Sequence, residues 1–546
     1  MAAAEKEVTK ATLKEIKPFN DDKFLVTEFL FRCPIDYKVP KHNQKSIELS
    51  FKLVHGERAC KDIDGLVVKN ETTESILRQV SQHNIMVYLC GGPGDGNPPS
   101  RMPRLNEYFL ERDYWILYPD YRGTGDSSPG EIPLALRNGD EQGALYMIKQ
   151  LGQRNIVRDL EAVRAVLCDG AKWSICAQSY GGWITYSYLS FSGSGLKRVC
   201  INAGAAPIHY SPEHVHQQLA RNVVERNELY YSLYPDDVDR VKTIAIWLAR
   251  QNCGKGIKIP GWGILTPQQF LCLGRNLSSE ARYPQLHQLF KKMAEDIKGP
   301  PDDGSPVSLA ADTIELLKAT DSWRFDRRPL YAVLNESQYL RNTTETTNWV
   351  AQHVAAQPIV FMPEADIKAQ YSDYIQATTE CDAGDEPKDE PKDQPMVQPK
   401  VQPQPESDGK PKYEPKSYFW WVNDKASEFE PKARACQKLY MSGEMIYQFF
   451  FDNYEALRPF KKVAMKFAAA TLLEDPYDFA QITTNRVPVT VVGGSADIIV
   501  DRGLGCKTWA GTGSVRACEL EGLEHGAIRS DTNLMLNAHM DLWKLD

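Results

Sequence analysis

No stretch of the 546-residue sequence approaches the roughly 20 apolar residues of a membrane-spanning helix, so a helical membrane protein is not expected. The N-terminus, Met1-Ala-Ala-Ala-Glu5-Lys-Glu7, has no apolar segment ahead of its charges, and a secretory leader is not expected either. Blocks of basic charge are also missing. The 64 Lys and Arg are interspersed with 72 Asp and Glu for a net charge of −8, which argues against a nucleic-acid partner. The 12 cysteines are scattered, with no metal-like spacing among them. They read as free thiols in a reducing compartment rather than a disulfide framework, which favours the cytoplasm. No cluster of His, Cys or carboxylates has the spacing of a metal site, and no metal or organic cofactor is expected. Oligomeric state is not legible.

What the sequence does have is one organising stretch, Trp173-Ser-Ile-Cys-Ala-Gln-Ser179-Tyr-Gly-Gly182. A strand-like run ends near Ala177, and a helix-like run starts at Trp183. A serine held between small residues two before and two after it, at a tight strand-to-helix turn, is the layout of a nucleophile elbow. The helix N-terminus after Ser179 would point free N–H groups at an oxyanion forming beside it. Cys176 reads as a buried strand residue rather than a competing nucleophile.

Strand-like runs at 24–31 and 46–54 suggest an antiparallel edge on a mixed sheet. Ile85-Met-Val-Tyr-Leu89 runs into Cys90-Gly-Gly-Pro-Gly94, whose glycines let backbone N–H groups face a pocket. Tyr114–Pro119 is the next strand. A helix-spaced apolar pattern at 155–167 precedes the elbow, and another strand follows at 197–204. This alternation implies a mostly parallel sheet covered on both faces. Far downstream, Val487–Val492 exits through two glycines to Asp497, and Val515–Leu520 leads to His525. Ser, Asp, His is the order an α/β-hydrolase needs, with Asp501 and Glu524 as rivals for the carboxylate. Tyr180 and the Gly91-Gly92 loop would supply the oxyanion donors.

Gly91-Gly-Pro-Gly94, Asp120-x-Arg-Gly-x-Gly-x-Ser127 and Ala177-Gln-Ser-Tyr-Gly-Gly182, in this order, resemble the three signature loops of the proline iminopeptidase family of α/β-hydrolases. The core resemblance covers 24–205 and 484–546, with a large cap as in fungal-type members. It departs from the family pattern at Cys90, where the family usually has His, and at Ala177, where it usually has Gly. Ser127, Asp120 and Arg122 read as structural members of their loop, tied by charge-assisted hydrogen bonds.

Residues 1–23 read as an N-terminal extension. Residues 206–483, where helical patterns replace short strands, read as a cap over the mouth of a hydrolase pocket. Within it, residues 382–416 are rich in Pro, Lys, Glu and Gln with little to bury, the composition of a disordered linker. Glu336 and Glu444 lie in mostly uncharged, aromatic-bordered contexts and need a cation or donors. The resemblance implies that they hold the amino terminus of a small peptide substrate, though Asn335 stands where the family often has His. The alternative is a salt bridge to a cap arginine such as Arg341 or Arg458.

The expected activity is therefore a Ser179–Asp497–His525 aminopeptidase with a preference for N-terminal proline. An esterase, an amidase or a broader aminopeptidase on the same residues is the alternative, and the intact set argues against a non-enzymatic scaffold. Replacing residues 385–413 by a short Gly/Ser bridge should leave the melting temperature and turnover nearly unchanged. A cooperative loss of stability in a thermal scan would contradict the linker reading.

Overall fold

The computed structural model describes residues 9–57, 72–128, 130–298, 308–359 and 417–544. The linker at 382–416 lies outside the described residues. A nine-stranded sheet forms the base of the molecule. Its strands are β1 (Thr12–Phe19), β2 (Phe24–Pro34), β3 (Ser46–Glu57), β4 (Asn84–Leu89), β5 (Tyr114–Pro119), β6 (Trp173–Gln178) and β7 (Leu196–Asn202), joined after a long excursion by β10 (Val489–Gly494) and β11 (Val515–Leu520). A separate hairpin, β8 (Ile257–Ile259) and β9 (Gly263–Leu265), lies in the excursion. The sheet order is β1-β2-β3-β5-β4-β6-β7-β10-β11. From β5 to β11 all neighbours are parallel, whereas β1, β2 and β3 form an antiparallel edge. This is the α/β-hydrolase arrangement.

Burial follows position in the sheet. Every residue of the central strand β6 is buried, as a parallel strand covered on both faces requires. In the outermost strand β1 no residue is buried, and exposed and half-buried positions are equal in number. It falls inside the stretch read as an N-terminal extension, so that extension is partly sheet. Its apolar residues Leu13, Ile16 and Phe19 are three apart, which hides a period of two. A bulge between Leu13 and Glu15 shifts the phase so that Leu13 and Ile16 share one face, opposite Phe31 and Phe29 of β2, while Phe19 falls on the other face. Pro18 is tolerated because β1 is an edge strand.

The apolar residues form two clusters, one around the sheet and one in the cap. The cap's long helix, Pro212–Leu233, starts where Ser211 Oγ accepts the His214 N–H at 3.2 Å with Pro212 in the first turn. Thr266 and Pro267 open the Pro267–Leu271 helix in the same way. Cluster membership departs from the sequence boundaries at two places. Ile132, Ala144 and Ile148, from helices between β5 and β6, belong to the cap cluster. Tyr477 and Ile482 belong to the sheet cluster. Among the described residues, no helix is long and apolar enough to cross a membrane.

The loop after β5 is fastened from both sides. The buried Arg122 guanidinium makes a two-pronged pair with Asp159, at 2.7 and 2.6 Å, and donates to the carbonyls of Pro34, Ile35 and Gln150. Asp120 pairs with buried Lys52 at 2.6 Å and accepts the amides of Asn97 and Asp126. Ser127 Oγ donates to the Asp120 carbonyl and accepts the Ser50 amide. Arg122→Met should destabilise by about 3–5 kcal/mol in denaturant unfolding, because Asp159 is left buried without its cation. Adding Asp159→Asn should recover part of that loss. Additive losses in the double variant would show that the pair is not coupled.

Candidate active site

β6 ends at Gln178, and the chain turns into the Tyr180–Ser192 helix through Ser179, whose φ and ψ are 53° and −123°. A residue with a side chain is strained at this positive φ, and the strain persists only where the surroundings hold it. Here they do. The Ser179 amide donates to the Asn202 carbonyl at 3.2 Å, and the Asn202 side-chain amide donates to the Ala177 carbonyl at 3.1 Å. Fully buried His539 bonds Asn202 Oδ1 at 3.0 Å and Thr490 at 2.7 Å. Its burial pushes the imidazole pKa down to about 3. Gly181 has no alternative, since a Cβ there would stand 2.2 Å from the Leu89 carbonyl oxygen.

The turn lifts the Ser179 hydroxyl to 2.9 Å from His525 Nε2, and His525 Nδ1 lies 2.8 Å from Asp497 Oδ2. The other Asp497 oxygen accepts the amides of Ile499 and Val500, which fixes the carboxylate. The rival acids are engaged elsewhere. Asp501 caps the Arg502–Ala510 helix and accepts from Asn222, and Glu524 accepts the Glu280 amide. A hydroxyl, an imidazole and a carboxylate linked in this order can activate the hydroxyl as a nucleophile. Tyr180 is the first helical residue, so its amide has no intrahelical acceptor. Gly91 passes so close to the elbow that a Cβ on it would lie 3.0 Å from Ser179 Cβ. Gly92 follows it on the cavity wall. Cys90, beside them, is buried, and burial pushes its thiol pKa far up.

These groups open into a cavity of ≈ 610 Å³ whose roof is the cap. Asp95 of the glycine loop pairs with Arg328 of the cap at 2.8 Å, and Arg226 of the cap donates to the Ala496 carbonyl beside Asp497 at 2.7 Å. Trp183 and Tyr339 meet edge to face at 5.8 Å and form an aromatic wall.

The two cap glutamates part company. Glu444 lines the cavity. Its Oε1 receives Arg275 at 2.6 Å and the Tyr331 hydroxyl, while among the described residues Oε2 accepts no hydrogen bond. Burial works against its charge, but Arg275 and Tyr331 outweigh it and hold the pKa down to about 2. The ion-pair partner is thus Arg275. Arg341 is engaged with Glu345, and Arg458 donates to the Asp452 carbonyl. Glu336 is not among the lining residues. It is buried behind them and accepts the Ala351 amide at 3.0 Å at the start of the Val350–Ala355 helix. Burial raises its pKa from 4.5 to about 8, against the lowering effect of the amides. Its neighbour Asn335 does line the cavity. Asn335 is 3% exposed, and among the described residues its Oδ1 accepts no hydrogen bond. Arg275, Tyr331 and Tyr339 are members of the site that sequence reading missed, because nothing local distinguishes them from other cap residues. Among the described residues, no group of three or more His, Cys, Asp or Glu could hold a metal ion.

Glu336 gives a pH test. Between pH 4.5 and 8 the folded protein keeps a proton that the unfolded chain has released, so its stability falls as pH rises through that window. Glu336→Gln removes this dependence while keeping an acceptor for Ala351. The melting temperature of the variant relative to the parent should therefore rise from pH 5 to pH 8. A gap independent of pH would contradict the buried, proton-holding carboxyl.

No family model matches the chain. Among curated proteins, the proline iminopeptidase aneH of Aspergillus aculeatus is 26% identical over 431 residues, covering 78% of this chain and 77% of that protein. A proline iminopeptidase of Aeromonas sobria is 23% identical over 455 residues, covering 83% and 85%. Among solved structures, 2-hydroxy-6-oxo-6-phenylhexa-2,4-dienoate hydrolase from Rhodococcus sp. strain RHA1 aligns over 97% of this chain and 100% of its own, at 11% identity and a TM-score of 0.33. The sheet order, the three loops and relatives matched along most of their length converge on a likeness to the proline iminopeptidase family of α/β-hydrolases.

Proposed function

We propose that the protein is a serine aminopeptidase that releases the N-terminal residue, preferentially proline, from short peptides. The observation that carries this reading is the Glu444 Oε2 atom, a carboxylate oxygen that accepts no hydrogen bond from the described residues, in the same cavity as Ser179 and His525. An exopeptidase has to measure its distance from the chain end, and a fixed negative charge that meets the terminal ammonium does so. Asn335 Oδ1 offers a second acceptor for the two N–H bonds of a prolyl ammonium. The Trp183–Tyr339 wall gives the five-membered ring an apolar face. The curated relatives named proline iminopeptidase support the same choice.

In the mechanism, His525 takes the Ser179 proton through Nε2 as Ser179 Oγ attacks the carbonyl carbon. Asp497 holds the Nδ1–H tautomer and supports the imidazolium. The amides of Tyr180 and the Gly91-Gly92 loop receive the oxyanion charge. His525 then protonates the leaving amine, and water, activated by the same imidazole, hydrolyses the acyl-enzyme. Free thiols at the nine described cysteines other than Cys518 are compatible with a reducing, cytoplasmic setting. One observation favours the second reading, an esterase or amidase indifferent to the amine. Arg275 already offsets much of the Glu444 charge.

The test compares Pro-arylamide, acetyl-Pro-arylamide and a simple aryl ester. Pro-arylamide should be cleaved and its acetylated form should not, because acetylation removes the charge and leaves the carboxylate desolvated without its partner. Ser179→Ala should abolish turnover of every substrate with the fold intact. Glu444→Gln should lower kcat/KM for Pro-arylamide by about 30- to several-thousand-fold, the equivalent of about 2–5 kcal/mol, and the ester should lose much less. Equal losses on both substrates would point to disturbed cap packing. No loss on either would leave the esterase reading in front.

A further inference from the structure

The charge of the cavity wall opposes that of the whole protein. The chain carries −8 overall, yet seven arginines line this cavity against three carboxylates. Each of these carboxylates already has a partner in the protein, although Glu444 keeps Oε2 for the substrate ammonium. Asp95 pairs with Arg328 and Glu444 with Arg275. Asp321, buried, accepts from Trp262, Tyr454 and the Trp323 amide. Of the remaining arginines, Arg324 and Arg327 share the exposed Asp326, and Arg101 donates to the Gly96 carbonyl. Arg282 and Arg529 are left, both exposed, and among the described residues neither guanidinium has a hydrogen bond or an ion pair.

The place of these two arginines follows from the chain. Arg529 is four residues after His525, in the Ala527–Ser530 helical turn. Arg282 ends a turn whose first residue, Glu280, donates its amide to Glu524, next to His525, and pairs with Arg226. Desolvation, then repulsion from Arg275, Arg529 and Arg328, hold the Arg282 pKa below the ordinary arginine value, and the nearby Glu444 carboxylate offsets only part of this. An anion placed there would relieve that repulsion. In the mechanism above, the leaving amine has to lie against His525 Nε2 to receive its proton. The leaving portion of the substrate therefore extends along the His525 side of the cavity, and the amino-terminal residue sits toward Glu444.

We propose that Arg282 and Arg529 form a carboxylate-binding subsite for the leaving portion of the substrate. The preferred substrates are then dipeptides and other short peptides with a carboxylate just past the scissile bond, either a free C-terminus or an acidic side chain. This rests on the aminopeptidase reading and narrows its substrate class. A carboxylate forms two-pronged hydrogen bonds with a guanidinium, and a cationic funnel on an acidic protein also speeds the encounter with anions.

The experiment measures kcat/KM for Pro-Gly with a free carboxylate, for Pro-Gly-amide and for Pro-Glu-amide. Pro-Gly should exceed its amide by about 10-fold at low ionic strength, and the preference should shrink as salt is added. If Pro-Glu-amide regains the advantage, the acidic side chain also serves; if it does not, the subsite reads the terminal carboxylate alone, and both results support the assignment. In the Arg282→Gln/Arg529→Gln double variant the acid-to-amide ratio should fall toward one, and the Arg282→Lys/Arg529→Lys variant should keep part of it. Equal rates on acid and amide, or a preference that survives the double variant, would overturn the subsite and leave the aminopeptidase reading standing. Cleavage of aryl esters with no cleavage of any of the three peptides would overturn both.

Discussion

Everything in the site hangs on one unfavourable backbone conformation. Ser179 is held at φ 53°, and three layers of structure hold it there: the parallel pairing of β6 with β7, the two hydrogen bonds of Asn202 to the turn, and His539 behind Asn202. Because the turn is fixed, the Ser179 hydroxyl meets His525 and the Tyr180 amide stands free at the helix start without further rearrangement. The cost of the strain is spread over a buried polar network in which each member is satisfied by the next, the condition under which such networks rigidify a core.

The cap contributes electrostatics as well as a roof. Arg275 and Tyr331 crowd one oxygen of Glu444, and this keeps the carboxylate ionised despite its burial. The same pairing points the other oxygen to a separate task. Glu336, with amides but no cation beside it, goes the opposite way and holds its proton. Two glutamates alike in sequence context thus differ in charge at neutral pH because their partners differ.

The sheet was legible where strands are short, apolar and bounded by glycine, as at 85–89, 114–119 and 487–492. The loops that end them carry Ser179, Asp497 and His525, so chain order and strand context were enough to single those residues out. β1 was hidden by its bulge. The cap was legible as helical but not as an arrangement. Its glutamates stood out by composition, whereas Arg275 and Tyr331 meet Glu444 only through packing between segments 113 and 169 residues apart in the chain. Which of two similar carboxylates faces the cavity depends on the turn at 335–339, and no local periodicity encodes that.

The membership of Ile132, Ala144 and Ile148 in the cap cluster also bears on how such enzymes diversify. The chain visits the roof twice, first in the helices between β5 and β6 and again in the long excursion after β7. Lys462 and Lys466 of the second visit pair with Glu141 of the first. The roof is therefore not a cassette bounded by a single entry and exit. A chimaera that exchanged only the long excursion would bring in a foreign partner for the first pair of helices and leave an apolar seam mismatched. Recombination between relatives should then succeed only when both segments travel together.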